Sequence, residues 1–99
     1  MRVTLTPRAR AEYEAVAGDV DKAQVLGLLR RLGERYDEVP KFETDEYSGG
    51  RYAFAGNGDG WKVTFHKVEL DESVVSVISI KPRRTVKWAL RFFPKKDSE

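Results

Sequence analysis

With 99 residues, 40% hydrophobic and 34% charged, the chain suits a single folded domain over 1–99 with one modest core rather than a disordered segment. The absence of cysteine and the single histidine exclude disulfide staples, thiolate chemistry and Cys- or His-rich metal sites, so neither metal nor cofactor is expected. No apolar run nears the roughly 18 residues of a membrane span, and the N-terminus lacks an apolar signal core, so a cytoplasmic protein is expected.

The net charge of +2 is unevenly spread. Residues 1–49 carry 8 Lys and Arg against 10 Asp and Glu, whereas residues 50–99 carry 10 against 6. Lys81 to Lys96 holds seven basic residues and no acid. That asymmetry suits a polyanion or an acidic partner; the plainer alternative is a solvated basic helix face.

Arg2 to Leu5 reads as a short strand. Thr6-Pro7 then reads as an N-cap with proline at the first helical position, where its missing N–H costs nothing. Arg8 to Ala17 makes a first helix with Ala9, Tyr13 and Val16 on one face, and Gly18 stops it. Asp19 or Asp21 is expected to cap a second helix running to about Tyr36. Its Val25, Leu28, Leu29, Leu32 and Tyr36 recur as one apolar stripe, and the two helices form a hairpin.

Asp37 to Gly50 reads as loop or edge structure, because Pro40 breaks helix and the acids are dense. Arg51 to Ala55 alternates large and small. Tyr52 and Phe54 are expected to face the core, with Ala53 and Ala55 opposite. Gly56 to Gly60 is a turn, without the helix start or Lys-Ser/Thr ending of a nucleotide-binding loop.

From Trp61, three apolar groups (Trp61, Val63, Phe65) alternate with Lys62, Thr64 and His66, giving a core face and a polar face. Glu69 to Ser73 turns the chain into Val74 to Ile80, a β-branched run expected to be a well-buried antiparallel strand. It exits through Lys81, Arg83 and Arg84. Thr85 to Phe93 is expected to form a last helix with Trp88 and Phe92 inward, ended by Pro94. The order is β-α-α-β-β-β-α. This is an α+β domain, with a helical hairpin on one face of a mainly antiparallel sheet and the other face partly open.

Val3 to Ala9, Gly60 to Phe65, the glycine before a Tyr-rich strand, and Val74 to Arg84 together resemble the RelE/ParE superfamily of bacterial toxin–antitoxin toxins, closest in pattern to RelE. The resemblance spans most of the chain outside 37–48. It implies a type II toxin, a ribosome-associated mRNA endoribonuclease whose reaction is attack of a ribose 2′-hydroxyl on the adjacent phosphate. It also implies an antitoxin partner. Cations on the open face stabilise the charge that develops on the phosphate.

By this resemblance Lys62 and Arg83 fall on two basic positions of that site. Two further lysines fall on Ala53 and Ala55, and a tyrosine of the last helix falls near Ala89. The residue pattern itself adds His66, on the face of Lys62, as a candidate proton carrier near neutral pH. The plainer reading of His66 is a surface histidine without a role, and that of Lys62 and Arg83 is sheet-face charge. Arg84, Lys87 and Arg91 are candidate contacts to RNA backbone or to an antitoxin's acidic residues, or else a solvated face. The alternative function is a non-enzymatic ParE-like inhibitor of DNA gyrase, or an inactive toxin relative. A generic RNA-binding module ranks below both, since the expected open face offers few aromatics for base stacking.

Overall fold

Thr6 ends one element and starts the next. Strand β1 (Arg2–Leu5) runs into helix α1 (Pro7–Glu14), and the Thr6 hydroxyl accepts the Ala9 N–H at 3.1 Å, capping the helix. The same hydroxyl donates to the Ile78 carbonyl at 3.3 Å, which ties the cap to the sheet. Helix α1 ends three residues short of the expected Ala17, but Ala9 and Val16 are still buried as the spacing predicts. Helix α2 (Asp19–Glu34) starts at Gly18, whose φ of 90° suits glycine. Neither Asp19 nor Asp21 caps it. Both sit inside the first turn, where a negative charge favours the helix dipole. Val25, Leu28, Leu29 and Leu32 form the buried stripe. Tyr36 lies beyond the helix in a single 3-10 turn, Tyr36–Glu38.

The computed structural model describes residues 1–44, 49–56, 60–68 and 71–83. Strands β2 (Phe42–Glu43), β3 (Arg51–Ala55), β4 (Trp61–Val68) and β5 (Asp71–Pro82) complete a five-stranded sheet ordered β1-β5-β4-β3-β2. Among the described residues only the β1–β5 pair is parallel. The acidic 37–50 stretch thus supplies a two-residue edge strand, β2. Strand β5 begins three residues before the expected Val74 and runs two past Ile80. The expected last helix over 85–93 lies outside the described residues.

Helix α2 covers one face of the sheet. Val63 and Phe65 of β4, Val75, Val77 and Ile80 of β5, and Ala53 and Ala55 of β3 meet Val25, Leu28, Leu29 and Leu32 there, with Trp61 packed at the rim. This inverts the expected faces of β3. The alanines are buried, at 1% and 0% exposed, and Tyr52 and Phe54 lie on the open side. The helix explains the exchange. Ala53 and Ala55 pack in one core with Val25, Leu28, Leu29 and Leu32, so small side chains stand where α2 lies over β3.

A bulge sets the faces of β5. Thr64 pairs with Ser79 but Phe65 pairs with Val77, leaving Ile78 without a partner. The extra residue shifts the alternation. Val75 and Val77 face the core, yet Lys81 reaches the open face beside Lys62.

Strand β1 is short, so the edge of β5 beyond Val77 would be bare. Helix α1 closes it. Thr6 N–H donates to the Val77 carbonyl at 3.0 Å, and Ile80 N–H donates to Glu12 Oε1 at 2.8 Å. Glu12 also meets Arg8 at 3.3 Å and Lys81 at 3.5 Å. Burial opposes its charge, but the Ile80 bond, the Arg8 bond and the Lys81 charge outweigh it and hold its pKa below the ordinary 4.5. A depressed pKa gives stability that is complete above that ordinary value and lost as pH falls through the folded value. Glu12→Gln is therefore expected to cost about 1 kcal/mol at pH 7. In urea melts run across pH, the gap between the two proteins should close at acid pH; a gap independent of pH would remove the charge from this account.

Candidate nucleic-acid interface

The register of three strands assembles the open face. Lys62 on β4 sits opposite Phe54 on β3 and Lys81 on β5, while Tyr52 sits opposite Phe42 of β2 and Thr64 of β4. Directly paired residues share a face, so these side chains project together. Phe42, Tyr52 and Phe54 form an aromatic cluster with ring centroids 5.3–5.8 Å apart. Phe42 is 47% exposed at its margin.

Two cations lie on that cluster. Lys62 Nζ is 4.5 Å from the Tyr52 centroid, and the Arg83 guanidinium carbon is 3.9 Å from that of Phe54. Each such contact is worth about 0.5–1 kcal/mol at an exposed site, enough to bias a flexible side chain toward one position. Arg83 is anchored in its backbone as well, since its N–H donates to the Gly60 carbonyl at 2.9 Å. A Cβ on Gly60 would fall 1.9 Å from the Ala55 carbonyl oxygen, a backbone atom that cannot swing away. Gly60→Ala is thus expected to destabilise the fold by about 1–3 kcal/mol in a denaturant melt and to loosen Arg83. An unchanged melt would mean that the turn accommodates the methyl group.

Of the three expected catalytic residues, the structure brings Lys62 and Arg83 to one aromatic cluster and leaves His66 apart. His66 lies four residues along β4, a rise of about 13 Å, opposite Ser76. Its Nδ1 is 2.9 Å from the Lys67 carbonyl; a carbonyl only accepts, so the proton belongs on Nδ1. Arg84, Lys87 and Arg91 lie outside the described residues. Among the described residues no cluster of His, Asp or Glu could hold a metal ion, and no helix is long and apolar enough to cross a membrane.

The sequence reading missed the aromatic half of the site. Read by size alone, β3 puts Tyr52 and Phe54 in the core and leaves the open face poor in aromatics; the structure reverses both points. The usable signal was the pairing of alanines, rather than large residues, with a strand that already fills the core through Val63 and Phe65.

No protein-family model matches the chain, and no curated protein matches it. Solved structures do match. The intact RelBE toxin–antitoxin complex of Escherichia coli is similar at a TM-score of 0.62 and 17% identity, covering 81% of this chain and 93% of that one. The RelBE2 toxin–antitoxin complex of Mycobacterium tuberculosis gives 0.63 and 17%, covering 82% and 95%. The archaeal RelE–RelB complex of Pyrococcus horikoshii gives 0.57 and 18%, covering 83% and 93%. The chain has the RelE fold. Within this RelE-like chain, Ala53 and Ala55, where the resemblance places two lysines, are buried beneath α2 and present nothing to the open face. The open-face positions of β3 are aromatic instead.

Proposed function

We propose that this chain is the toxin of a type II toxin–antitoxin pair and that its open face acts on mRNA at the ribosome. The observation that carries the reading is the placement of Lys62 and Arg83 on the Tyr52 and Phe54 rings of an open sheet face in a RelE fold. Two cations held on one surface suit a phosphodiester, because phosphoryl transfer depends on positioning and on stabilising charge at the phosphate oxygens. In the reaction a bond forms from the ribose 2′-oxygen to phosphorus and the bond to the 5′-oxygen breaks. The 2′-hydroxyl loses its proton and the leaving oxygen gains one. Lys62 and Arg83 take the role of charge stabilisers. His66 stands too far along β4 to share a phosphate with them, and His66→Ala is expected to change cleavage by only a few-fold. The exposed aromatic edge at Phe42 adds a surface on which an unpaired base can stack. The partner is an antitoxin protein, as in the similar complexes.

Incubating the protein with programmed ribosomes and mapping new 3′ ends tests this. New ends are expected with the native chain and not with the Lys62→Ala, Arg83→Ala double variant. Intact mRNA in both reactions would remove the nuclease reading. A second reading then takes over, a non-enzymatic toxin of the ParE type or an inactive relative. It is favoured by Ala53 and Ala55, which are buried and stand where the resemblance places two lysines. A supercoiling assay with DNA gyrase decides between those two.

A further inference from the structure

The opposite side of the sheet holds a second positively charged place that the open-face reading does not use. Tyr36, Lys41, Gly49, Arg51 and Lys67 line a cleft of about 260 Å3 beyond the end of α2. Its three cations come from three separate segments: the approach to β2, the start of β3 and the end of β4. Lys41 Nζ and Lys67 Nζ lie 4.3 and 4.8 Å from the centroid of the same Tyr36 ring. Among the described residues lining the cleft there is no carboxylate.

We infer that this cleft binds a phosphate group, free or in a nucleic-acid backbone. Lys41 is fixed by donating to the carbonyls of Tyr36 and Val39, so its charge is held in place rather than swinging in solvent. Arg51 is steadied by the carbonyls of Gly49 and Gly50 through one terminal nitrogen. Among the described residues its other terminal nitrogen has only a 3.9 Å approach from Glu43, whose side chain is 83% exposed. Among the described residues the Lys67 ammonium has no hydrogen bond or ion pair, and its one contact is the Tyr36 ring. Two like charges on one ring repel, and an anion between them removes that cost. Tyr36 adds a neutral hydroxyl. Burial raises its pKa, and the Asp37 charge adds to this against the pull of Arg51, so it stays a donor through the neutral range. The second terminal nitrogen of Arg51, the Lys41 N–H not given to a carbonyl, the Lys67 ammonium and a hydroxyl still exceed what one carboxylate can accept, and they suit the oxygens of a phosphate.

Titrating inorganic phosphate into 15N-labelled protein at low salt and pH 7 reads the site directly. Saturable shifts are expected at Tyr36, Arg51 and Lys67. Lys67→Ala should weaken binding about tenfold, the loss of one charge-assisted hydrogen bond. Among the described residues the Lys67 ammonium makes no other hydrogen bond or ion pair, so the variant's spectrum should otherwise match the native one. The Lys62→Ala, Arg83→Ala variant should bind phosphate here as the native chain does, which separates this inference from the open-face reading. A single-stranded RNA oligonucleotide then identifies the source. If it uses the cleft, Lys67→Ala lowers the salt slope of RNA binding by about 0.7; if the cleft resonances stay still, free phosphate is the ligand. Shifts that fail to saturate, or that survive Lys67→Ala unchanged, overturn the inference.

Discussion

Arg83→Ala and Lys62→Ala are each expected to slow RNA cleavage about 100- to 1,000-fold, the usual effect of deleting one preorganised charge stabiliser from a reacting oxyanion. Neither change should move the melting midpoint by more than a few degrees, because both side chains lie on the open face and outside the buried core. The distinction between placement and charge is testable at Arg83. Arg83→Lys keeps the charge but loses the planar fork that lies 3.9 Å from the Phe54 ring centroid, so an intermediate loss is expected. Phe54→Leu keeps the cation and removes its aromatic support. If Phe54 positions Arg83, that change should mimic a weakened Arg83 and add little in an Arg83→Ala background. Full and independent losses from both would mean that Phe54 has a separate task, such as stacking a base.

This pair of cations was legible in the sequence; their setting was not. The alternation from Trp61 to His66 correctly divides β4 into a core face and a polar face. On β3 the same rule fails, because the alternation of Tyr52, Ala53, Phe54 and Ala55 gives the faces no absolute sense. Size suggests that the large residues are inside. The structure puts the small ones inside because α2 packs over β3, a contact between separate segments that no local pattern contains. The bulge at Ile78 is equally silent in the sequence. Counting in twos from Val75 and Val77 would place Lys81 on the core side, and the unpaired residue moves it to the open face. His66 shows a different limit. Alternation identifies a shared face, but two positions on one face can still be about 13 Å apart along the strand.

Phe65→Ala is expected to cost about 3–5 kcal/mol, a large share of the roughly 5–15 kcal/mol that holds a domain of this size together. Phe65 is 0% exposed and pairs across the sheet with Val77 on the core face. The Tyr36 ring meets it edge-on, with centroids 6.1 Å apart and planes at 81°. Truncation leaves a cavity between α2 and the sheet, and it also removes the aromatic partner that seats Tyr36 beside the phosphate cleft. Phe65→Leu should cost less than about 1.5 kcal/mol, because it fills most of the volume. Comparing the two separates packing from ring geometry. Leucine should restore the urea midpoint, yet leave Tyr36 freer, so that phosphate binding at Lys41, Arg51 and Lys67 weakens more than stability does. Lys62, three residues away on the opposite face of β4, should keep its activity per folded molecule in both variants. A Phe65→Ala protein that melts with the native chain would mean that this ring is not the closed centre of the core.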